Sequence, residues 1–240
     1  MGFVVPPREQ GAKMHLPVAI VIDRSESTED IRQLLNQCAR KLLRSLKEDP
    51  FLGNLVELLV VHYSHDYDPV VDFRVLRHIG QHDLDIHRSE GPTNTGGALL
   101  YALQRLGEKK MEWKLAGEKY FQPLLFLLTD GYPDAGLGAP ADFEKRVSES
   151  YEMAAEQIRE LEQQSKLVFV AAGIQQENGY SANMNKLRQL SLHPERILHI
   201  TDAAEGVGNL EQFYNLILDA TNAVSQGTPI DDVIDGFIHA

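Results

Sequence analysis

The chain has 240 residues, 23 lysines and arginines against 35 aspartates and glutamates, and a formal net charge of −12. With 43% hydrophobic residues it is too apolar for a disordered chain, and it holds no run of about 18 apolar residues that would make a membrane-spanning helix. The net acidity argues against broad electrostatic binding of nucleic acid. The single cysteine, Cys38, excludes an internal disulfide framework and cysteine-based zinc sites of the ribbon or finger type.

The N-terminal MGFVVPPREQGAK lacks the long apolar core of a secretory signal, and Pro6 breaks the myristoylation pattern that Gly2 opens. A cytoplasmic location is therefore expected. Residues 1–15 read as an extension. The first strand is LPVAIVI (16–22). A helical pattern follows over 28–47, with Ile31, Leu34, Leu35, Cys38, Leu42 and Leu46 on one face, so Cys38 reads as core. The strands LVELLVVHY (55–63) and PVVDF (69–73) lie too close together for a helical crossover. They predict a hairpin whose second member is an antiparallel edge strand, where Pro69 is tolerated. Residues 107–122, with Lys109, Lys110, Trp113 and Lys114, read as a solvated loop or short helix.

The fourth strand is LLFLLT (124–129). The helix predicted over 141–164 aligns Phe143, Val147, Tyr151, Ala154, Ile158 and Leu161. The strands LVFVAAG (167–173) and ILHIT (197–201) follow. The last helix, 205–224, repeats the stripe with Leu210, Phe213, Ile217, Ala220 and Val224, and Asp202 with Glu205 suggests a capping box. Residues 227–240 read as a tail, with Asp231, Asp232 and Asp235 in solvent. A lower-ranked idea is that one of these aspartates enters a neighbouring molecule's metal site.

Four of the six strand runs are near-continuously apolar, as in parallel strands covered on both faces. The alternation predicts an α/β fold: a doubly wound, mostly parallel six-stranded sheet with helices on both faces and one domain over 16–226; with the order 3-2-1-4-5-6, right-handed crossovers set the first and fourth strands side by side. In such sheets ligands bind beyond the carboxyl ends of the strands, at the switch point. The first strand runs into Asp23-Arg24-Ser25-Glu26-Ser27 and the fourth into Thr129-Asp130-Gly131. Between them, before a helix, stands Gly91-Pro92-Thr93-Asn94-Thr95-Gly96-Gly97. Two carboxylates, Asp23 and Asp130, would meet the hydroxyls of Ser25, Ser27, Thr93 and, as a weaker candidate, Thr95. That all-oxygen set suits Mg²⁺, with Mn²⁺ or Ca²⁺ as alternatives.

Asp23-x-Ser25-x-Ser27 with Thr93 and Asp130 resembles the metal-ion-dependent adhesion site of von Willebrand factor A (VWA) domains, over nearly the whole chain. The stretches LPVAIVID, LKEDPFLGNLVELLVVHYS, GPTNTGGAL and PLLFLLTDGYPD resemble the bacterial VWA subgroup linked to tellurium resistance and stress response. The resemblance implies a Rossmann-like VWA fold. It implies metal ligation by Asp23, Ser25, Ser27, Thr93 and Asp130, directly or through water. It also implies a partner protein whose carboxylate fills the open coordination position, with no bond made or broken. The subgroup's D-x-S-G-S-M is altered: Glu26 and Thr28 replace the Gly and Met. A glycine with positive φ at that place would leave Glu26 strained; otherwise Glu26 points outward and makes the rim acidic.

Plainer readings stand beside these. Asp23, Ser25 and Ser27 are also good caps for the helix after them, and Asp130-Gly131 is a common turn. Gly96-Gly97 opens a helix as a phosphate cradle would, but no phosphate-loop motif follows. His62 with His65, and His78, His82 and His87, lack a metal-binding helical pair. No Gly-x-Ser-x-Gly elbow seats a nucleophile. The favoured function is a non-enzymatic, metal-dependent protein-interaction module, monomeric or weakly oligomeric, without nucleic acid or membrane partners. The rivals are a Mg²⁺-dependent phosphate-ester hydrolase and a scaffold whose metal site is vestigial.

Overall fold

The computed structural model describes residues 13–131, 140–177, 179, 181–201 and 209–238. Strand β1 (Met14–Asp23) lies at the centre of the sheet. On one side it pairs in parallel with β2 (Val56–Tyr63), and the hairpin partner β3 (Tyr67–Val75) runs antiparallel at the edge. A two-residue strand, β4 (Lys119–Tyr120), pairs with the start of β1. On the other side follow β5 (Leu124–Thr129), β6 (Val168–Gln175) and β7 (Ile197–Thr201), all parallel. The order β3-β2-β1-β5-β6-β7 is the predicted 3-2-1-4-5-6, with β4 as a seventh strand.

Alternate residues of the central strands face two cores. Ile20, Ile22, Leu58, Val60, Phe126 and Val170 face α1 (Arg32–Glu48) and α6 (Leu210–Gln226). Phe126 meets Phe213 of α6 edge-on at 6.4 Å. Ala19, Val21, Leu125, Leu127 and Phe169 face α3 (Thr95–Leu115) and α4 (Ala141–Gln163). Each fully buried Val, Leu, Ile or Phe among them contributes about 1.5–3 kcal/mol relative to an exposed one. The helices α3 and α4 approach closely because Gly96 has no side chain: a Cβ there would lie 2.2 Å from the backbone nitrogen of Tyr151. Two short helices, α2 (Pro50–Leu55) and α5 (Met184–Arg188), complete the connections; Asp49 caps α2 by accepting from Phe51 N at 2.7 Å.

Three segments differ from expectation. Residues 107–115, expected as a solvated loop or short helix, are the second half of the long helix α3. Leu99, Ala102, Leu103, Leu106 and Trp113 share its buried face, and the lysines that suggested a loop occupy the remaining turns. Strand β1 begins two residues before the predicted start, because His15 is buried rather than part of an extension. Within the expected tail, residues Ile230–Ile238 form α7, with Ile230 and Ile234 buried, four apart on one helical face. Asp231, Asp232 and Asp235 are exposed as expected, and Asp231 also pairs with Arg196 at 2.6 Å. Helix α6 opens at Leu210 with Asn209 as its cap; the capping box expected at Asp202 and Glu205 lies outside the described residues.

Sheet register also places the site. Strands β1 and β5 are neighbours, with Ile22 opposite Leu128. Asp23 and Asp130 therefore leave the sheet together at its C-terminal edge, where chain order reverses.

Candidate metal centre

Asp23 ends β1 almost fully buried. Its Oδ1 accepts the backbone N–H of Ser25 at 2.8 Å. Its Oδ2 accepts the Thr129 hydroxyl at 2.6 Å and lies 3.4 Å from the Tyr63 hydroxyl. Residues Glu26–Thr28 then make a single 3-10 turn. That turn brings the hydroxyls of Ser25 and Ser27 to 3.1 Å from each other, and Ser27 Oγ donates to Asp130 Oδ1 at 2.8 Å. The serine side chains do not cap the following helix: neither Ser25 nor the α1 cap, Ile31, makes a side-chain capping bond.

The loop before α3 brings Thr93. A Cβ built on Gly131 would lie 3.1 Å from Thr93 Oγ1 and 3.3 Å from Asp23 Oδ2, so both oxygens face the same spot and a side chain there would crowd them. Thr95 stands one rank back, its hydroxyl 3.3 Å from that of Tyr63. Backbone bonds sew the loops together: Arg24 N to Tyr63 O, Glu90 N to Arg24 O, Glu26 N to Gly91 O and Asn94 N to Ser64 O. The Arg24 guanidinium turns away from the carboxylates, to Asp66 at 2.7 Å and Glu90 at 3.4 Å. Glu26 is exposed and does not have positive φ, so it points outward without strain.

All five residues singled out in the sequence thus converge. Sequence reasoning missed four others. Thr129 and Tyr63 hydrogen-bond Asp23, and Arg24 braces the loops. Gln176, just past β6, is buried; its Nε2 donates to Asp130 Oδ2 and, at 2.8 Å, to the carbonyl of Ser27. Thr129 was legible as the residue before Asp130, but nothing near Gln176 in the sequence marks it.

The electrostatics are lopsided. Burial raises the Asp23 carboxyl above its ordinary range, against the hydrogen bonds from Ser25 and Thr129. Burial, and secondly the Asp23 charge, push Asp130 up to about 7. Among the described residues no basic side chain pairs with either carboxylate. Two buried carboxylates without a counter-charge favour uptake of protons or of a cation. The donor set fits a hard cation. An octahedral ion with oxygens at about 2.1 Å holds neighbouring oxygens about 3.0 Å apart, and the two serine hydroxyls stand at 3.1 Å. A serine oxygen bound to a cation must send its proton elsewhere, and Asp130 takes that of Ser27.

Several groups behind the rival readings are occupied with structural work. Gly96 serves helix packing, and Gly97 N is capped by Asn94 Oδ1 at 3.1 Å, so the Gly-Gly pair is used without a phosphate. His82 bonds Asp85, which is also held by Arg40 at 2.7 and 2.6 Å, and His78 accepts from Arg77. His62 is buried; burial, then the Arg24 charge, lower it to about 3. Among the described residues no group of three or more His, Cys, Asp or Glu side chains is placed to hold a metal ion, and no helix is long and apolar enough to cross a membrane. The Cys38 thiol is buried and raised to about 11, chiefly by that burial, as a core residue should be.

A mostly parallel, doubly wound sheet with an oxygen-rich cluster at its switch point defines a Rossmann-like α/β domain. The family described as von Willebrand factor type A domain matches residues 18–215, and the chain belongs to it. No curated protein resembles the sequence closely enough to count as a relative. Solved structures share the fold. The minor pilin PilB from Streptococcus sanguinis superposes with a TM-score of 0.59 at 14% identity, over 91% of this chain and 64% of its own. The pilus adhesin SpaC from Lactobacillus rhamnosus GG, in an open conformation, gives 0.57 at 17% identity, over 95% and 31%. Proximal thread matrix protein 1 from the mussel byssus, described with a zinc-occupied MIDAS motif, gives 0.54 at 15% identity, over 89% and 48%. The chain spans less than two thirds of each of these structures.

Proposed function

We propose that this VWA domain is a metal-dependent protein-interaction module, not an enzyme. Asp23, Ser25, Ser27, Thr93 and Asp130 would hold a divalent cation, Mg²⁺ first and Mn²⁺ or Ca²⁺ as alternatives. The bound ion supplies a dipositive charge and an open coordination position for a carboxylate of the partner protein. The observation that carries the reading is the pair of buried carboxylates, flanked by hydroxyls, with raised affinity for protons and no basic partner among the described residues.

The domain's own residues do the rest. Thr129, Tyr63 and the Ser25 amide orient Asp23. Arg24, paired with Asp66 and Glu90, keeps its charge off the site while bracing the loop. Against a dipositive ion the two carboxylates leave the site formally neutral, so an anionic ligand is accepted. The exposed Glu26 gives the rim a negative charge that such a ligand must pass. The sequence's likeness to the tellurium-resistance and stress-response subgroup supports a cytoplasmic role in a bacterial stress system, with a domain over 16–226 that is monomeric or weakly associating.

The test is capture of partners from the source lysate by the immobilised chain, in Mg²⁺ and in EDTA, alongside Asp23→Ala. A partner held in Mg²⁺ and lost both in EDTA and on Asp23→Ala is the expected result. A partner held equally in all three would make the module a scaffold that does not use the metal.

A further inference from the structure

We propose that Gln176 is a positioning residue of the oxygen cluster and sets its affinity for a cation; this rests on the metal-binding function proposed for the cluster. Gln176 is only 2% exposed. It reaches the site from the end of β6, the strand beyond β5, and so belongs to none of the three segments that supply the candidate ligands. Its Nε2 donates to Asp130 Oδ2 and to the Ser27 carbonyl. An amide nitrogen carries two hydrogens, so one group serves both acceptors. It clamps the loop after β1 to the end of β5.

The clamp has a chemical consequence. With Oδ2 engaged by Gln176, Asp130 cannot turn about its terminal bond, and Oδ1 stays aimed at the Ser27 hydroxyl. The Ser27 proton is thereby committed to Asp130, which leaves the lone pairs of the serine oxygen for a cation. The hydrogen bond to the Ser27 carbonyl fixes the backbone that carries that oxygen.

The neutrality of the amide matters as much as its reach. It gives Asp130 a donor without giving it a counter-charge. A lysine at 176 would bring the cation that the cluster lacks and fill its electrostatic role from within. A methionine would match the length and flexibility of glutamine and give no donor. Partners that orient metal ligands from behind are typically worth about 10–100-fold in metal affinity.

The experiment is a Mn²⁺ titration of the full chain, reading free Mn²⁺ by electron paramagnetic resonance, with melting temperatures in EDTA recorded in parallel. Gln176→Met is expected to weaken the Mn²⁺ Kd by about 10–100-fold while its melting temperature in EDTA stays within a few degrees of wild type. Gln176→Lys is expected to abolish saturable Mn²⁺ binding and to melt in EDTA no lower than wild type. A purely structural role would lower both melting temperatures and leave the Kd alone. A Gln176→Met Kd within twofold of wild type, or wild-type binding by Gln176→Lys, overturns the proposal. A wild-type chain that binds no Mn²⁺ overturns the metal-binding function along with it, so the two failures are distinguishable.

Discussion

Strand β1 carries a buried polar cluster at each end, and the two are built on opposite principles. Near its start, His15 stacks on Trp113 at 4.6 Å, with Nδ1 2.6 Å from Glu57 and Nε2 2.9 Å from Glu118. Lys109 stands 3.6 Å from the other oxygen of Glu57. Two basic groups face two acidic ones. Burial pushes the Glu57 carboxyl up, but the hydrogen bond from His15 and the charges of Lys109 and His15 outweigh it and leave it below its ordinary value. At the other end, Asp23 and Asp130 meet hydroxyls and an amide, and both carboxyls are raised. The first cluster carries its own counter-charges and is complete as folded. The second is short of positive charge, as the proposed cation site requires.

The largest effect that can break this contrast is expected at the complete end. Glu57→Ala strips His15 and Lys109 of a buried partner and should cost about 3–5 kcal/mol of stability, read by denaturant unfolding. Eight residue steps of strand, roughly 26 Å, separate His15 from Asp23. The same variant should therefore bind Mg²⁺ with a Kd within twofold of wild type. A large loss of metal affinity would mean that the two ends are coupled and the division is wrong.

A smaller effect sharpens the contrast through pH. The Asp130 carboxyl rises from an ordinary 3.8 to about 7 in the folded chain. Its contribution to stability is thus full below about 3.8 and is lost as pH rises through about 7. A bound cation needs the ionised form, so it restores stability on the alkaline side. His62, lowered from 6.5 to about 3, acts in the opposite sense: stability is lost as pH falls below 6.5. It is common to both states, so the difference between Mg²⁺ and EDTA cancels it. With Mg²⁺ at a hundred times its pH 8 Kd, the stabilisation should be about 2.7 kcal/mol at pH 8. It should fall by about 1 kcal/mol per pH unit below 7, as protons compete for Asp130. A difference that is flat between pH 5.5 and 8 would place the ion away from Asp130.

Much of this was legible in the sequence. The strands read clearly because LPVAIVI and LLFLLT are apolar at nearly every position, as sheets buried on both faces require. The order 3-2-1-4-5-6 was the condition on which right-handed crossovers set the first and fourth strands side by side, and β3-β2-β1-β5-β6-β7 matches it. The ligand candidates were visible because each follows a strand or precedes a helix at the switch point. What stayed hidden depended on contacts across the chain. The second half of α3 read as a loop or short helix because Lys109, Lys110 and Lys114 sit among Met111, Trp113 and Leu115, of which only Trp113 is buried. The cluster around His15 joins residues 42 and 103 positions apart, and Gln176 reaches Asp130 from 46 positions away. No local spacing announces such pairs. Helix α7 hid behind its aspartates, although Ile230 and Ile234 had the helical interval.

The most direct measurement of the central claim, that the cluster at the end of β1 is incomplete without a cation, is calorimetric titration of Mg²⁺ into the wild type and Asp23→Ala. Saturable one-to-one binding by the wild type, weakened at least about 100-fold in Asp23→Ala, is the expected result. Equal Mg²⁺ affinity in the two proteins, or no binding by the wild type, would contradict it.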